Sequence, residues 1–173
     1  TDPGMGHSAL NWPKEHWIEL GKKLIENTSF HTIISLGQNE IKLMSPITEE
    51  LNVHVYPGNR SLLFLAALYE KASLVIAPST GPLHIANGVG TPVLSFFSPI
   101  RVQSALRWGP INQLENVMVP DVNCAEDFRC AGTKCRYFYC MRGIFPNEAY
   151  EKALSILKST SKKLTIEEKL YDV

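Results

Sequence analysis

Leu74-Val75-Ile76-Ala77-Pro78-Ser79-Thr80-Gly81-Pro82-Leu83-His84 is the stretch that decides the fold. The run up to Ala77 is apolar and contains Val and Ile, which favour extended backbone, so it reads as a buried strand ending at Pro78. Ser79 and Thr80 are natural helix-capping residues. Gly81 lets another group approach the backbone, and Pro82 presets a first helical turn. A helix is therefore predicted over residues 81–88, directly after the strand. The open N–H groups of such a helix start, with the positive end of its dipole, form a ready anion site. Thr80 can add a hydroxyl. His84 lies about one turn further on and can reach the same anion. The plainer alternative is a well-capped helix carrying a core histidine.

Outward from this turn the same alternation continues. Trp17, Leu20, Leu24 and Ile25 stand at helical spacing behind Pro13. His31 to Leu36 reads as a strand closed by Gly37, and Glu40 to Met44 as a short helix interrupted by Pro46. Asn52 to Tyr56 reads as a strand stopped by Pro57-Gly58, and Ser61 caps a helix reaching Ala72. Pro92 to Phe97 is a further apolar strand, and Val117 to Val119 is another. A last long helix begins near Pro146 and runs through Leu157, with helical residues expected over 146–170. Strands alternating with helices, several of the strands nearly continuous in apolar character, predict a Rossmann-like, doubly wound parallel α/β sheet. The whole of 1–173 is read as one domain, with an aromatic and cysteine-containing excursion at 122–143.

In such folds ligands bind at the carboxyl ends of the strands. Four more loops therefore join 78–84 as places for chemistry: 4–11, 37–40, 56–61 and 98–101. Gly4 and Gly6 permit close backbone approach and Ser8 offers a donor, although this loop matches neither the P-loop nor GxGxxG. Glu40, just past the strand that ends at Leu36, could accept hydrogen bonds from ribose hydroxyls. Its alternative is an exposed residue favourable to a helix start.

Composition narrows the function. The 173 residues are 45% hydrophobic and 20% charged, as expected for a globular domain rather than a disordered chain or a disulfide miniprotein. Seventeen basic residues balance seventeen acidic ones, so no nucleic-acid partner is expected. Pro, Ser, Gly or charges break every apolar run, so no membrane span is expected. The chain begins at Thr1 with neither a Met nor the features of a signal peptide, and is read as cut or processed from something longer.

Five segments carry a resemblance: PGMGHSALNWPKEHW (3–17), SLGQNE (35–40), SLLFLAALYEKASLVIAPSTGPLHIANGVGTPVLSFFSP (61–99), WGP (108–110) and CMRGIFPNEAYEKAL (140–154). In order and spacing they resemble glycosyltransferase family 9, the ADP-heptose lipopolysaccharide heptosyltransferases. The resemblance implies a GT-B enzyme of two Rossmann-like domains, with this chain as the C-terminal, donor-binding half. It implies inverting transfer of heptose or a related sugar from a nucleotide-sugar, ADP-heptose foremost, to a lipopolysaccharide core or similar glycan acceptor. Ser79, Thr80, Gly81 and His84 would then lie at the diphosphate, Glu40 at the nucleoside, and Gly6 and Ser8 in the facing loop. The catalytic base is expected in an N-terminal acceptor domain absent from this chain, and no cofactor is required. A cytoplasmic location is implied, with a peripheral contact to the inner membrane as an option. Two departures bear on the donor: the family commonly has Lys where this chain has Leu10, and Asp where it has Ser79. A Lys would make a charge-assisted contact to diphosphate that Leu10 cannot.

Cys124, Cys130, Cys135 and Cys140 follow a C-x5-C-x4-C-x4-C spacing without CxxC knuckles. Tetrahedral zinc ligands, disulfides and plain packed thiols all remain open. Nearby Arg129, Lys134, Arg136 and Arg142 make the stretch locally basic, either as a solvated face or as a contact to an anionic acceptor or membrane surface. Against the transferase stands a second class: a nucleotide-sugar-binding module, or degenerate transferase, that holds a ligand without chemistry. A third reading, a nucleotide-sugar epimerase, is disfavoured by the few carboxylates in the candidate loops.

Overall fold

The computed structural model describes residues 11–171 other than Asn39 and Pro57, with side chains as far as residue 160 apart from those of Lys42, Leu43 and Pro46. In chain order the elements are α1 (Lys14–Asn27), β1 (Ile33–Ser35), α2 (Ile41–Leu51), β2 (His54–Tyr56), α3 (Leu62–Glu70), β3 (Val75–Pro78), α4 (Gly81–Gly88), β4 (Val93–Phe96), α5 (Ala105–Trp108), β5 (Val117–Met118) and α6 (Pro146–Tyr171). All strand pairs are parallel. They fall into a three-stranded sheet of order β3-β4-β5 and a two-stranded sheet of β1 and β2. The expected parallel α/β fold is what the chain adopts, with its ladder divided in two among the described residues.

The three-stranded sheet is covered on both faces, as its apolar strands require. All four residues of β4 are buried. Leu94 and Phe96 point to one side, where they pack with Leu20 of α1 and with Ala149, Ala153 and Ile156 of α6. Val93 and the following Phe97 point to the other, with Tyr69 of α3 and with Leu83 and Ala86 of α4. Between them Ser95 is wholly buried, and its hydroxyl donates to the Ala77 carbonyl at 2.7 Å. This satisfies a polar group that would otherwise cost about 1–3 kcal/mol in the core. The β1–β2 sheet is less protected: Ile33 is 50% exposed and Val55 37%. The β-branched residues that made 31–36 read as a strand thus form one without a fully buried face.

Tyr69 joins the two sheets. Its hydroxyl shares a 2.7 Å hydrogen bond with Ser35 of β1, and its carbonyl accepts from Thr91 Oγ1 at 2.7 Å, just ahead of β4. Burial pushes the phenol's pKa up, so it stays protonated in this bond.

Several boundaries differ from the sequence reading: β1 is confined to Ile33–Ser35 and α3 stops at Glu70. α2 does not break at Pro46 but runs to Leu51. An interior proline costs about 3 kcal/mol, and burial of Ile47 and Leu51 in the same helix offsets this. α2 then ends on Asn52 in the left-handed region, φ 50°, so β2 starts two residues later than predicted. α6 passes Leu157 and runs as one helix to Tyr171, over the residues 146–170 expected to be helical. Elsewhere the local rules hold. Ser61 caps α3 by accepting from the Phe64 N–H at 3.3 Å.

Candidate functional site

β3 ends at Pro78, and the chain turns through Ser79 and Thr80 into α4. Thr80 takes the N-cap position with extended backbone, but its side chain makes no capping bond. Its hydroxyl turns back to donate to the Pro78 carbonyl at 3.3 Å. Here the structure corrects the expected capping: the start of α4 carries no side-chain acceptor, in contrast to α3 with Ser61. The amides of this start keep their polarity toward whatever lies in front of them.

In front of them lies a cleft of about 460 Å³, a size ordinary for small-molecule sites. Its floor is apolar. Phe96 stacks on Trp12 with ring centroids 4.2 Å apart, and Met141 adjoins them. Trp12 is held by its indole N–H, which donates to the Ile144 carbonyl at 2.9 Å. Its rim is polar: Asn11, Ser79, Thr80, His84, Ser98 and Gln103. Trp108 forms a side wall, its indole N–H donating to the Val102 carbonyl at 2.9 Å. Among the described residues the lining carries no carboxylate, and so none that repels an anion. A Cβ built on Gly81 would meet no described atom within 4 Å, so a ligand can approach this backbone closely.

Ser79, Thr80, Gly81 and His84 are thus brought together on one cleft. His84 is exposed, not a core residue, because α4 turns Leu83 and Ala86 inward and His84 outward. Glu40 does not line the cleft. It is exposed at the carboxyl end of β1, where its Oε2 accepts from the Gly37 N–H at 2.8 Å and closes the turn. Gly6, Ser8 and Leu10 lie outside the described residues. The sequence reading assigned no role to Asn11, Trp12, Ser98, Gln103, Trp108 or Met141. Two of its candidate loops reached Asn11 and Ser98, but Trp108 and Met141 arrive from distant segments by tertiary packing.

The four cysteines line a separate cavity of about 10 Å³. All are free and half-buried. Burial foremost, with the neighbouring Cys130, Cys124 and Cys135, pushes the Cys140 thiol up to about 11.

Comparison with known proteins agrees with this fold. The family model for glycosyltransferase family 9 (heptosyltransferase) matches residues 3–136. A putative glycosyltransferase of Haemophilus influenzae is 30% identical over 115 residues, covering 65% of this chain and 33% of that protein. The lipopolysaccharide core heptosyltransferase OpsX of the same organism is 35% identical over 103 residues, covering 52% and 29%. The chain therefore spans about a third of the length of these relatives. Among solved structures, ADP-heptose lipopolysaccharide heptosyltransferase II of E. coli superposes with a TM-score of 0.68 at 17% identity, covering 92% of this chain and 46% of that one. E. coli heptosyltransferase WaaC with ADP gives 0.61 at 20% identity, covering 84% and 39%. At these identities the likeness is one of fold.

Proposed function

Because the chain belongs to glycosyltransferase family 9, we propose that it is the C-terminal half of an inverting sugar transferase and holds the nucleotide-sugar donor. The observation that carries this reading is the start of α4, without a side-chain cap and opening on a cleft of about 460 Å³ whose described lining holds no carboxylate. A donor diphosphate set against Gly81 would meet the helix amides, the Thr80 hydroxyl and His84. The apolar floor and Trp108 offer surfaces for a flat base or a sugar face.

In inverting transfer an acceptor hydroxyl attacks the anomeric carbon from the side opposite the diphosphate. The new C–O bond forms as the old one to phosphate oxygen breaks, and the electron pair leaves with the nucleotide. A base must take the hydroxyl proton, and the departing charge must be stabilised. The second task belongs to α4 and His84, met by amides and imidazole rather than by a metal. The first belongs to a carboxylate of an N-terminal acceptor domain. Heptose or a related sugar, carried on ADP, is the donor of this reading, and a lipopolysaccharide core or similar glycan is the acceptor. Glu40 would turn from its Gly37 bond to a ribose hydroxyl.

Calorimetric titration of the folded chain with ADP, UDP and GDP tests the donor site. Binding of at least one, with ADP tightest, is expected, and no heat from any of them sinks the reading. Ser79, standing on the cleft rim where the family commonly carries Asp, favours one other reading: a module that binds a nucleotide-sugar without transferring it. Nucleotide binding by the full-length protein without turnover on any glycan acceptor would select that reading.

A further inference from the structure

Cys124, Cys130, Cys135 and Cys140 come from a stretch with no long helix or strand, yet all four side chains line one water-sized cavity against Pro99 and Ile100. Half-buried thiols packed only for volume have no need to converge. Two further features concern the sulfurs. The Gly132 N–H donates to Cys130 Sγ at 3.3 Å, and the Tyr137 N–H donates to Cys135 Sγ at 3.3 Å. The same two-residue spacing thus occurs twice, each time aiming a backbone dipole at a sulfur. Such donors leave each sulfur oriented as a hydrogen-bond acceptor with its remaining lone pairs free for a further partner. At the first, Gly132 sits at φ +62°, a conformation that favours glycine. Among the described residues the one charged side chain on the cavity wall is Glu126, and no Lys or Arg lines it. Arg129, Lys134 and Arg136 flank these cysteines in sequence but do not line the cavity, so its wall of sulfurs and one carboxylate suits a cation rather than an anion.

We propose that these four cysteines form a tetrathiolate site for a soft divalent cation of the zinc class. Four thiolates are the donor set that zinc takes in closed structural sites, at about 2.3 Å from each sulfur. Among the described residues no three His, Cys, Asp or Glu side chains already form a ready ligand set, so binding requires the sulfurs to turn inward as they lose their protons. The ion then fastens the 122–143 excursion to the segment that follows β4. Ser98, beside Pro99, and Met141, beside Cys140, both line the large cleft, so the ion braces one cleft wall.

The test uses the whole chain, purified under reducing conditions without chelator. Elemental analysis should find about one zinc per chain, and replacement by Co²⁺ should give the charge-transfer absorption of cobalt–thiolate bonds. All four thiols should resist a thiol reagent until a chelator is added, and melting should move down on chelation. Cys124→Ser and Cys135→Ser should each lower metal retention at least tenfold. If either variant fails to fold, the cobalt spectrum and thiol titre of the unaltered chain still decide. Four freely titrating thiols with no cobalt–sulfur absorption would overturn the proposal, as would disulfides in the protein freshly purified without reductant. These readouts involve no nucleotide, so they stand or fall apart from the donor-site reading.

Discussion

His84 and Gly81 are neighbours on one helical turn, and their surroundings make opposite predictions for stability and binding. His84 is exposed at the cleft rim, so His84→Ala should leave the melting midpoint nearly unchanged. A hydrogen bond to a charged oxygen is worth about 1.5–3 kcal/mol, so affinity for a nucleoside diphosphate should fall roughly ten- to a hundredfold. Calorimetry beside a thermal melt reads both, and a large loss of melting with unchanged affinity would remove the ligand role. Gly81 has open space where a Cβ would stand. Gly81→Ala should therefore keep or raise stability, by about 0.4–1 kcal/mol, through the unfolded chain. The same methyl would sit where the diphosphate is placed and should weaken binding about tenfold or more. Equal affinity for both chains would show that no ligand approaches this backbone. Gly58 makes the contrast: at φ +61° a Cβ would collide with the Leu36 carbonyl, so glycine there serves the fold.

At the level of elements, β4 organises the molecule because it has a packed layer on each face. Its flanking helices were visible in the sequence, since α1, α3 and α4 announce themselves by Pro13, Ser61 and Pro82. The connection between the two sheets was not visible, because a tyrosine in an apolar helix gives no hint that its hydroxyl meets Ser35. Tyr69→Phe removes that hydroxyl and leaves the ring packed. It should lower stability by about 0.5–1.5 kcal/mol, the ordinary net worth of one hydrogen bond. Denaturant titration measures this, and amide exchange should rise most in β1 and β2. Uniform exchange throughout the chain would mean that Tyr69 does not couple the sheets.

For the whole molecule, the proposed reading leaves the catalytic base to a second domain. The purified 173-residue chain should therefore bind nucleoside diphosphate yet transfer no sugar. A product assay with a nucleotide-heptose donor and a lipopolysaccharide-core acceptor checks this, and turnover by this chain alone would place the base here, with His84 the first residue to replace. No helix among the described residues is long and apolar enough to cross a membrane.

The parallel α/β class and the helix start at residue 81 were determined by sequence alone. Each depends on neighbours within a few positions: an apolar strand, a small-residue turn, a proline at the first helical turn. Tertiary structure alone decided the rest. It left Thr80 bonded backward and α4 without a side-chain cap, and it turned His84 to solvent. It closed the Gly37 turn with Glu40. It also brought Trp12, Trp108 and Met141 to one cleft and four dispersed cysteines to one cavity. The physical reason is range. Capping and periodicity act over one helical turn, whereas a cleft wall is assembled by burying apolar surface between segments far apart in the chain.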